Sequence, residues 1–274
     1  MKLQMKLGSA LLGFSVLMAV PATAAYAQDK KVLIVATDTA FVPFEFKQNG
    51  KYTGFDIELW EALAKKMGVQ YKLQPMDFNG IIPGLQTKNI DAALAGITIK
   101  EERQKVVDFS DPYYESGISI LTTTKNAATI KTVKDLADKD VAVKTGTVGV
   151  DFLKKEQPLA KLKLFPNIDN AFLDLATGRV AAVVHDTPNV QYYAATAGKG
   201  RVVITGALKS GDIYDVAFPK GSPLVAKVNT ALADLKKSGE YGKIYQKWFG
   251  TKPQSGSYSH LTLPTICSGE ITGV

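Results

Sequence analysis

Cysteine occurs once and histidine twice in the 274 residues of this chain. A single cysteine forms no internal disulfide, and three such side chains in all cannot build a Cys/His zinc site with four ligands. Uninterrupted apolar runs of 18 residues are also missing, so no segment reads as a permanent membrane-spanning helix. Three chemistry-bearing patterns are absent: a G-x-x-x-x-G-K-[ST] phosphate loop, a G-x-G-x-x-G turn after the first strand, and a G-x-S-x-G nucleophile elbow. His260 lies in the last 21 residues, so a Ser-His-Asp triad would have to run through His185 beside Asp186. Sequence neighbours rarely orient one another in that way. Metal and disulfide chemistry are thus largely excluded, and no motif for a cofactor stands out.

What is present describes a globular protein: 46% hydrophobic and 22% charged residues, in a length that accommodates two lobes. The N-terminus stands apart. Lys2 and Lys6 make a basic start, residues 10–20 are apolar, and Ala25-Tyr26-Ala27 is a small-x-small pattern. Together they predict a secretory signal peptide over 1–27, cut after Ala27, and hence a soluble protein in the periplasm. No cysteine follows the apolar run, so nothing points to a lipid anchor. Losing the two lysines takes 33 basic residues to 31 against 26 acidic, a formal +5. That excess is spread along the chain, which argues against a nucleic-acid footprint. Residues 254–274 hold one charge, Glu270, and the lone Cys267, without any helical or strand period. They read as a disordered or foreign tail.

Between these ends, apolar β-branched runs alternate with segments of helical spacing. Strands are predicted at 32–37, 69–73, 92–94, 118–123, 141–143, 162–165, 181–184, 202–204 and 214–218. Helices are predicted at 57–68 with Asp56 as N-cap and Gly68 as C′ residue, and at 80–87, 100–106, 132–137, from 147, 168–177, from 186, 223–237 and 240–248. Such alternation argues for parallel α/β sheets and suits two small lobes better than one barrel, although periodicity alone also allows a TIM barrel.

Polar residues gather where strands end, the place at which open α/β sheets take ligands. Asp38 ends the first strand, Gly96 and Thr98 follow the third, Lys144 to Thr147 end another, and His185-Asp186 a fourth. Acid, base and free backbone amides in one cleft suit a zwitterion. A guanidinium and helix-start N–H groups take its carboxylate, and an aspartate takes its ammonium. Phe41 and Phe78 offer an apolar wall. Each residue also has an ordinary reading. Asp38 fits a turn, Lys144 a solvated surface, Arg103 one charge among several, Asp186 a helix N-cap, and either Phe the core.

Several segments carry a resemblance: 37–46 (TDTAFVPFEF), 54–68 (GFDIELWEALAKKMG), 75–98 (PMDFNGIIPGLQTKNIDAALAGIT) and 102–114 (ERQKVVDFSDPYY). So do 142–147 (AVKTGT), 165–171 (FPNIDNA), 185–189 (HDTPN) and 241–250 (YGKIYQKWFG). From about residue 29 to 253 the chain resembles the polar amino-acid binding proteins of ABC transporters, within them the glutamine branch. The resemblance implies a type II periplasmic-binding-protein fold, two α/β lobes joined by a two-strand hinge near 114–118 and 210–214, with the ligand cleft between them. The large lobe would comprise 28–114 and 212–253, the small lobe 115–211. It implies a monomer that captures L-glutamine and hands it to the membrane permease subunits of an ABC importer.

By the same resemblance, Asp38 and Lys144 hold the ligand's carboxamide, which offers one donor group and one acceptor. Arg103 clamps the α-carboxylate with Thr98, Thr147 and the backbone near Val148. Asp186 and the Gly96 carbonyl take the ammonium, His185 packs beside the pocket, and Phe41 and Phe78 line it. One departure stands out: the family pattern K-S-G-T-G is Lys144-Thr145-Gly146-Thr147-Val148 here. A valine would be strained if that position needed positive φ, and tolerable if it starts a helix. Glutamate, a basic amino acid or an opine are the alternative ligands. An enzyme resembling the cyclohexadienyl dehydratases is the alternative from another class.

Overall fold

The computed structural model describes residues 32–253. Residues 1–27, where a signal peptide is expected, and the tail 254–274, with His260 and Cys267, lie outside the described residues. Within them the chain builds two five-stranded sheets, each covered by helices on both faces.

The first pass lays down β1 (Leu33–Asp38), a hairpin of β2 (Phe46–Gln48) and β3 (Lys51–Thr53), α1 (Phe55–Met67) and β4 (Tyr71–Met76). There follow α2 (Phe78–Gln86), β5 (Ala92–Ala93), the single turn α3 (Glu101–Gln104) and β6 (Val107–Phe109). The chain then leaves along β7 (Tyr114–Thr123) to form β8 (Asp140–Lys144), α4 (Val148–Glu156), β9 (Lys161–Phe165), α5 (Ile168–Ala176), β10 (Ala182–Asp186) and α6 (Thr187–Ala195). It returns along β11 (Val202–Tyr214) and completes the first sheet with β12 (Ala217–Pro219), α7 (Leu224–Ser238) and α8 (Glu240–Phe249). Strand order is β4-β1-β5-β12-β6 in one sheet and β11-β7-β10-β8-β9 in the other. A single barrel is excluded.

Both sheets are mixed, which corrects the all-parallel expectation. β1 runs parallel to β4 and β5, and β8 parallel to β9 and β10. β12 runs antiparallel to β5 and β6, and β7 antiparallel to β10. The reason is topological: a chain that crosses to a second sheet and returns must lay its outgoing and incoming strands side by side in opposite senses. β7 and β11 do this from Thr123↔Val202 to Tyr114↔Tyr214, with register shifts at three places. Such bulges add twist to a ribbon. They also explain why 202–204 and 210–214 form one 13-residue strand, while the predicted 214–218 strand splits between its end and β12.

Other boundaries move for local reasons. Gly54, at φ 133°, is the N-cap of α1, so Asp56 falls inside the first turn and is fully buried. A Cβ at Gly54 would lie 2.1 Å from the Phe44 carbonyl oxygen, which leaves glycine as the one residue that fits. Gly68 ends α1 in the left-handed region, as its C′ position requires. Helix 100–106 shrinks to α3 because Val107–Phe109 pairs with β12 at the sheet edge. The segment at 132 is a 3₁₀ turn, Val133–Leu136, in which the Asp135 carboxylate accepts the Thr132 N–H at 2.8 Å.

Cores lie on both faces of each sheet. In the first, Leu59, Trp60 and Leu63 of α1 pack with Leu33, Val35, Leu232 and Leu235, while Ile81, Leu85 and Ile90 cover the opposite face. In the second, Phe172 and Leu175 fill one face, and Leu136, Val143 and Leu153 the other. These layers make the strand ends rigid, and the strand ends carry the polar residues. Leu63 has no exposed surface, so Leu63→Ala is expected to lower stability by about 2–5 kcal/mol, measured as a drop in the urea midpoint with an unchanged slope.

Candidate functional site

All eleven residues singled out above line one pocket, joined by Ala95. They reach it from opposite sheets. Asp38 ends β1, Phe78 opens α2, and Gly96, Thr98 and Arg103 follow β5; Lys144 ends β8, Thr147 and Val148 start α4, and His185 and Asp186 end β10.

Asp38 and Lys144 are each 1% exposed and form an ion pair across the two sheets. The second Asp38 oxygen accepts the Thr39 N–H at 2.7 Å. Burial pushes the Asp38 carboxyl up from its ordinary range, against the pull of Lys144. Lys144 Nζ also sits 5.9 Å from the Phe78 ring centroid.

Arg103 lies over the same ring at 5.3 Å and donates to the Thr98 carbonyl at 2.6 Å and the Gly146 carbonyl at 3.0 Å. Burial lowers its pKa to about 10, with Asp186 foremost among the acids opposing that. It stays a cation at neutral pH.

Asp186 occupies the N-cap position of α6, yet its carboxylate makes no capping bond. It turns inward instead, where Oδ2 accepts the hydroxyl of Tyr214 at 2.5 Å, and Tyr214 in turn accepts from Ser116 at 2.8 Å. The other oxygen, 3.7 Å from His185 Nδ1, is buried without a hydrogen-bond partner. Burial raises its pKa to about 6, the Tyr214 bond holding it lower. His185 is 1% exposed and packs edge-on to Phe41 at 5.6 Å. Burial first, then Lys144, hold its pKa well below the usual value, so the ring is neutral.

The valine question resolves in favour of the helix. Positive φ falls on Gly146, at 79°, whereas Thr147 is the extended N-cap and Val148 the first residue of α4. Its N–H is one of the orphan amides of a helix start. Gly96 has φ 53°, and a Cβ there would meet the Phe41 ring at 2.4 Å. The wall on that side is therefore bare backbone.

Two positive side chains (Arg103, Lys144) face two negative ones (Asp38, Asp186), with a neutral histidine between. Such a pocket is balanced for a guest of zero net charge that carries both signs. Elsewhere the two sides touch through Asn189 Nδ2 to the Val42 carbonyl at 2.7 Å and an ion pair of Lys100 with Asp151. Sequence reasoning missed Tyr214 and Ser116. Both sit on the crossing strands, and nothing in their local sequence marks them as neighbours of Asp186.

Residues 33–251 match the family model described as bacterial extracellular solute-binding proteins, family 3. The arginine-binding extracellular protein ArtP of Bacillus subtilis (strain 168) is 35% identical over 80% of this chain and 87% of its own length. The ABC transporter glutamine-binding protein GlnH of the same organism is also 35% identical, over 82% of this chain and 83% of its own. Among solved structures, an ancestral arginine-binding protein, bound to arginine in one case and to glutamine in another, is 47% identical. It covers 80% of this chain and 98% of its own, with a TM-score of 0.77. The ancestral amino acid-binding protein AncCDT-1, a precursor of cyclohexadienyl dehydratase, is 44% identical over 80% and 95%, with a TM-score of 0.74.

The Tyr214 hydroxyl favours the ionised form of Asp186. Tyr214→Phe is therefore expected to move the Asp186 titration upward from about 6, read by carbon NMR of labelled aspartate carboxyls. An unmoved titration would show that the bond contributes nothing.

Proposed function

The chain belongs to the bacterial extracellular solute-binding proteins of family 3, and we propose that within it this protein captures L-glutamine and delivers it to an ABC importer. The observation that carries the reading is the buried Asp38–Lys144 pair reaching the pocket from two different sheets. A carboxamide satisfies both members at once: its NH₂ donates to Asp38, and its carbonyl accepts from Lys144. Glutamate would set a carboxylate against Asp38, and arginine would set a cation against Lys144. Either leaves a buried charge opposed, which costs several kcal/mol. The balanced charge of the pocket favours the same choice, a zwitterion with a neutral side chain.

At the other end Arg103, Thr98, Thr147 and the Val148 N–H hold the α-carboxylate, while Asp186 and the Gly96 carbonyl hold the ammonium. Phe41 and Phe78 flank the aliphatic stem, and His185 fills the space beside it without carrying charge. The protein binds and does not catalyse: its relatives are transport binding proteins, and the pocket's charges are those that hold the two ends of an amino acid. It acts as a monomer whose lobes, 28–114 with 212–253 and 115–211, close about β7 and β11. The closed form presents a surface to the permease subunits. Residues 1–27 direct export to the periplasm and are cut after Ala27, which N-terminal sequencing of the exported protein checks.

Calorimetry against the common amino acids is expected to rank glutamine at least tenfold above glutamate and arginine. Glutamine binding no tighter than either would reject the specificity. Asp38→Asn should narrow the gap to glutamate, and Arg103→Met should weaken glutamine by about 2–5 kcal/mol, since it leaves the α-carboxylate buried and unpaired. Asp186 must be ionised to take the ammonium, and its pKa of about 6 in the ligand-free pocket sets the acid limit. Affinity is expected to hold above that value and to fall by up to tenfold per pH unit below it, with proton release on binding near pH 5.

A further inference from the structure

Behind Gly96 lie two carboxyl groups that the pocket reading leaves unused. Asp56 and Glu45 are both 0% exposed. Asp56 Oδ2 accepts the Gly96 N–H at 3.1 Å and the Tyr113 hydroxyl at 2.7 Å. Its Oδ1, and both oxygens of Glu45, have no other hydrogen-bond donor. The two groups are neighbours, each acting on the other's ionisation.

Two carboxylates this deep, with no cation bonded to either and with Asp38 and Lys144 acting on Glu45 in opposite senses, do not both ionise, and one retains a proton that it shares with the other. Geometry decides which. Asp56 is the second residue of the 13-residue α1, at the positive end of the helix, and two donors already point at it. Glu45 has neither aid. Charge therefore settles on Asp56 and the proton on Glu45, in line with burial raising Asp56 only to about 6 and Glu45 well above the carboxylate range. The other titratable groups around Asp56 are Tyr113, Tyr114 and Tyr241, all held protonated by burial, while Asp38 and Lys144 act on Glu45.

Gly96 is thereby gripped from two sides, by the Phe41 ring in front and the Asp56 carboxylate behind. We propose that Asp56 is a positioning residue for the ligand's ammonium group: its carboxylate, left charged because Glu45 carries the shared proton, fixes the Gly96 backbone at the pocket wall and adds a buried negative field on that side. This rests on the amino-acid reading of the pocket but not on glutamine as the particular guest.

The full chain and its Asp56→Asn variant are titrated by calorimetry with L-glutamine and with its α-hydroxy analogue, which has a neutral hydroxyl in place of the ammonium. Asp56→Asn is expected to lose glutamine affinity by tenfold or more while the analogue changes by less than threefold. Equal losses for the two ligands, or no loss for glutamine, would overturn the proposal, because a merely structural role does not distinguish them. Tyr113→Phe supplies a second readout. Removing that donor raises the Asp56 pKa, so the acid limb of glutamine affinity should move to higher pH, and an unmoved limb would count against the proposal even if Asp56→Asn fails to fold. If wild type ignores glutamine, the glutamine reading fails alone, and L-arginine against its α-hydroxy analogue decides the role of Asp56. If neither amino acid binds, both readings fall.

Discussion

The molecule is organised around a pair of opposite charges that meet only because two sheets face one another. Asp38 and Lys144 end strands in different sheets, 106 residues apart in the chain, and both are removed from water. Desolvating either alone would cost several kcal/mol, so each needs the other or a guest that replaces it. On the reading proposed above, a buried pocket of this kind favours guests that leave its charges balanced. Arg103 and Asp186 are buried in the same pocket, each held by neutral partners. Selectivity then follows less from the attractions a matching guest enjoys than from the mismatches a wrong guest would impose.

Strands β7 and β11 tie that chemistry to the architecture. They are the antiparallel ribbon that links the sheets, and Tyr214 at the end of β11 reaches Asp186 in the pocket. The same tyrosine stacks on Tyr114, its register partner, and packs edge-on to Phe44. A ring this enclosed leaves its hydroxyl little freedom, so the carboxylate it holds is aimed by the ribbon itself. Behind the other wall, Asp56 plays the corresponding part for Gly96 through the start of α1. In both cases a pocket group is set by a buried hydroxyl or carboxyl on a neighbouring element.

Much of this was legible in the sequence. Apolar β-branched runs and helical spacing located most elements within a few residues, because burial on sheet faces and helix stripes imposes period and composition locally. The eleven pocket residues could be named because the motifs around them resemble a family. Composition alone left Asp38 as a turn residue and Asp186 as a helix cap. Asp56 shows the limit: its spacing suits an N-cap, but the close approach of Gly54 to Phe44 starts the helix earlier and sends the carboxylate into the core. Mixed strand directions were equally hidden, since a strand's period does not reveal which neighbour it pairs with.

By itself, then, the order of residues determined where strands and helices form and which polar groups stand at strand ends. These properties depend on neighbours a few positions apart. Tertiary structure alone decided that Asp38 would find Lys144, that Tyr214 would aim Asp186, and that Glu45 and Asp56 would share one buried site. Those outcomes depend on desolvation and on separations of tens of residues in the chain, and both quantities exist only once the sheets have assembled.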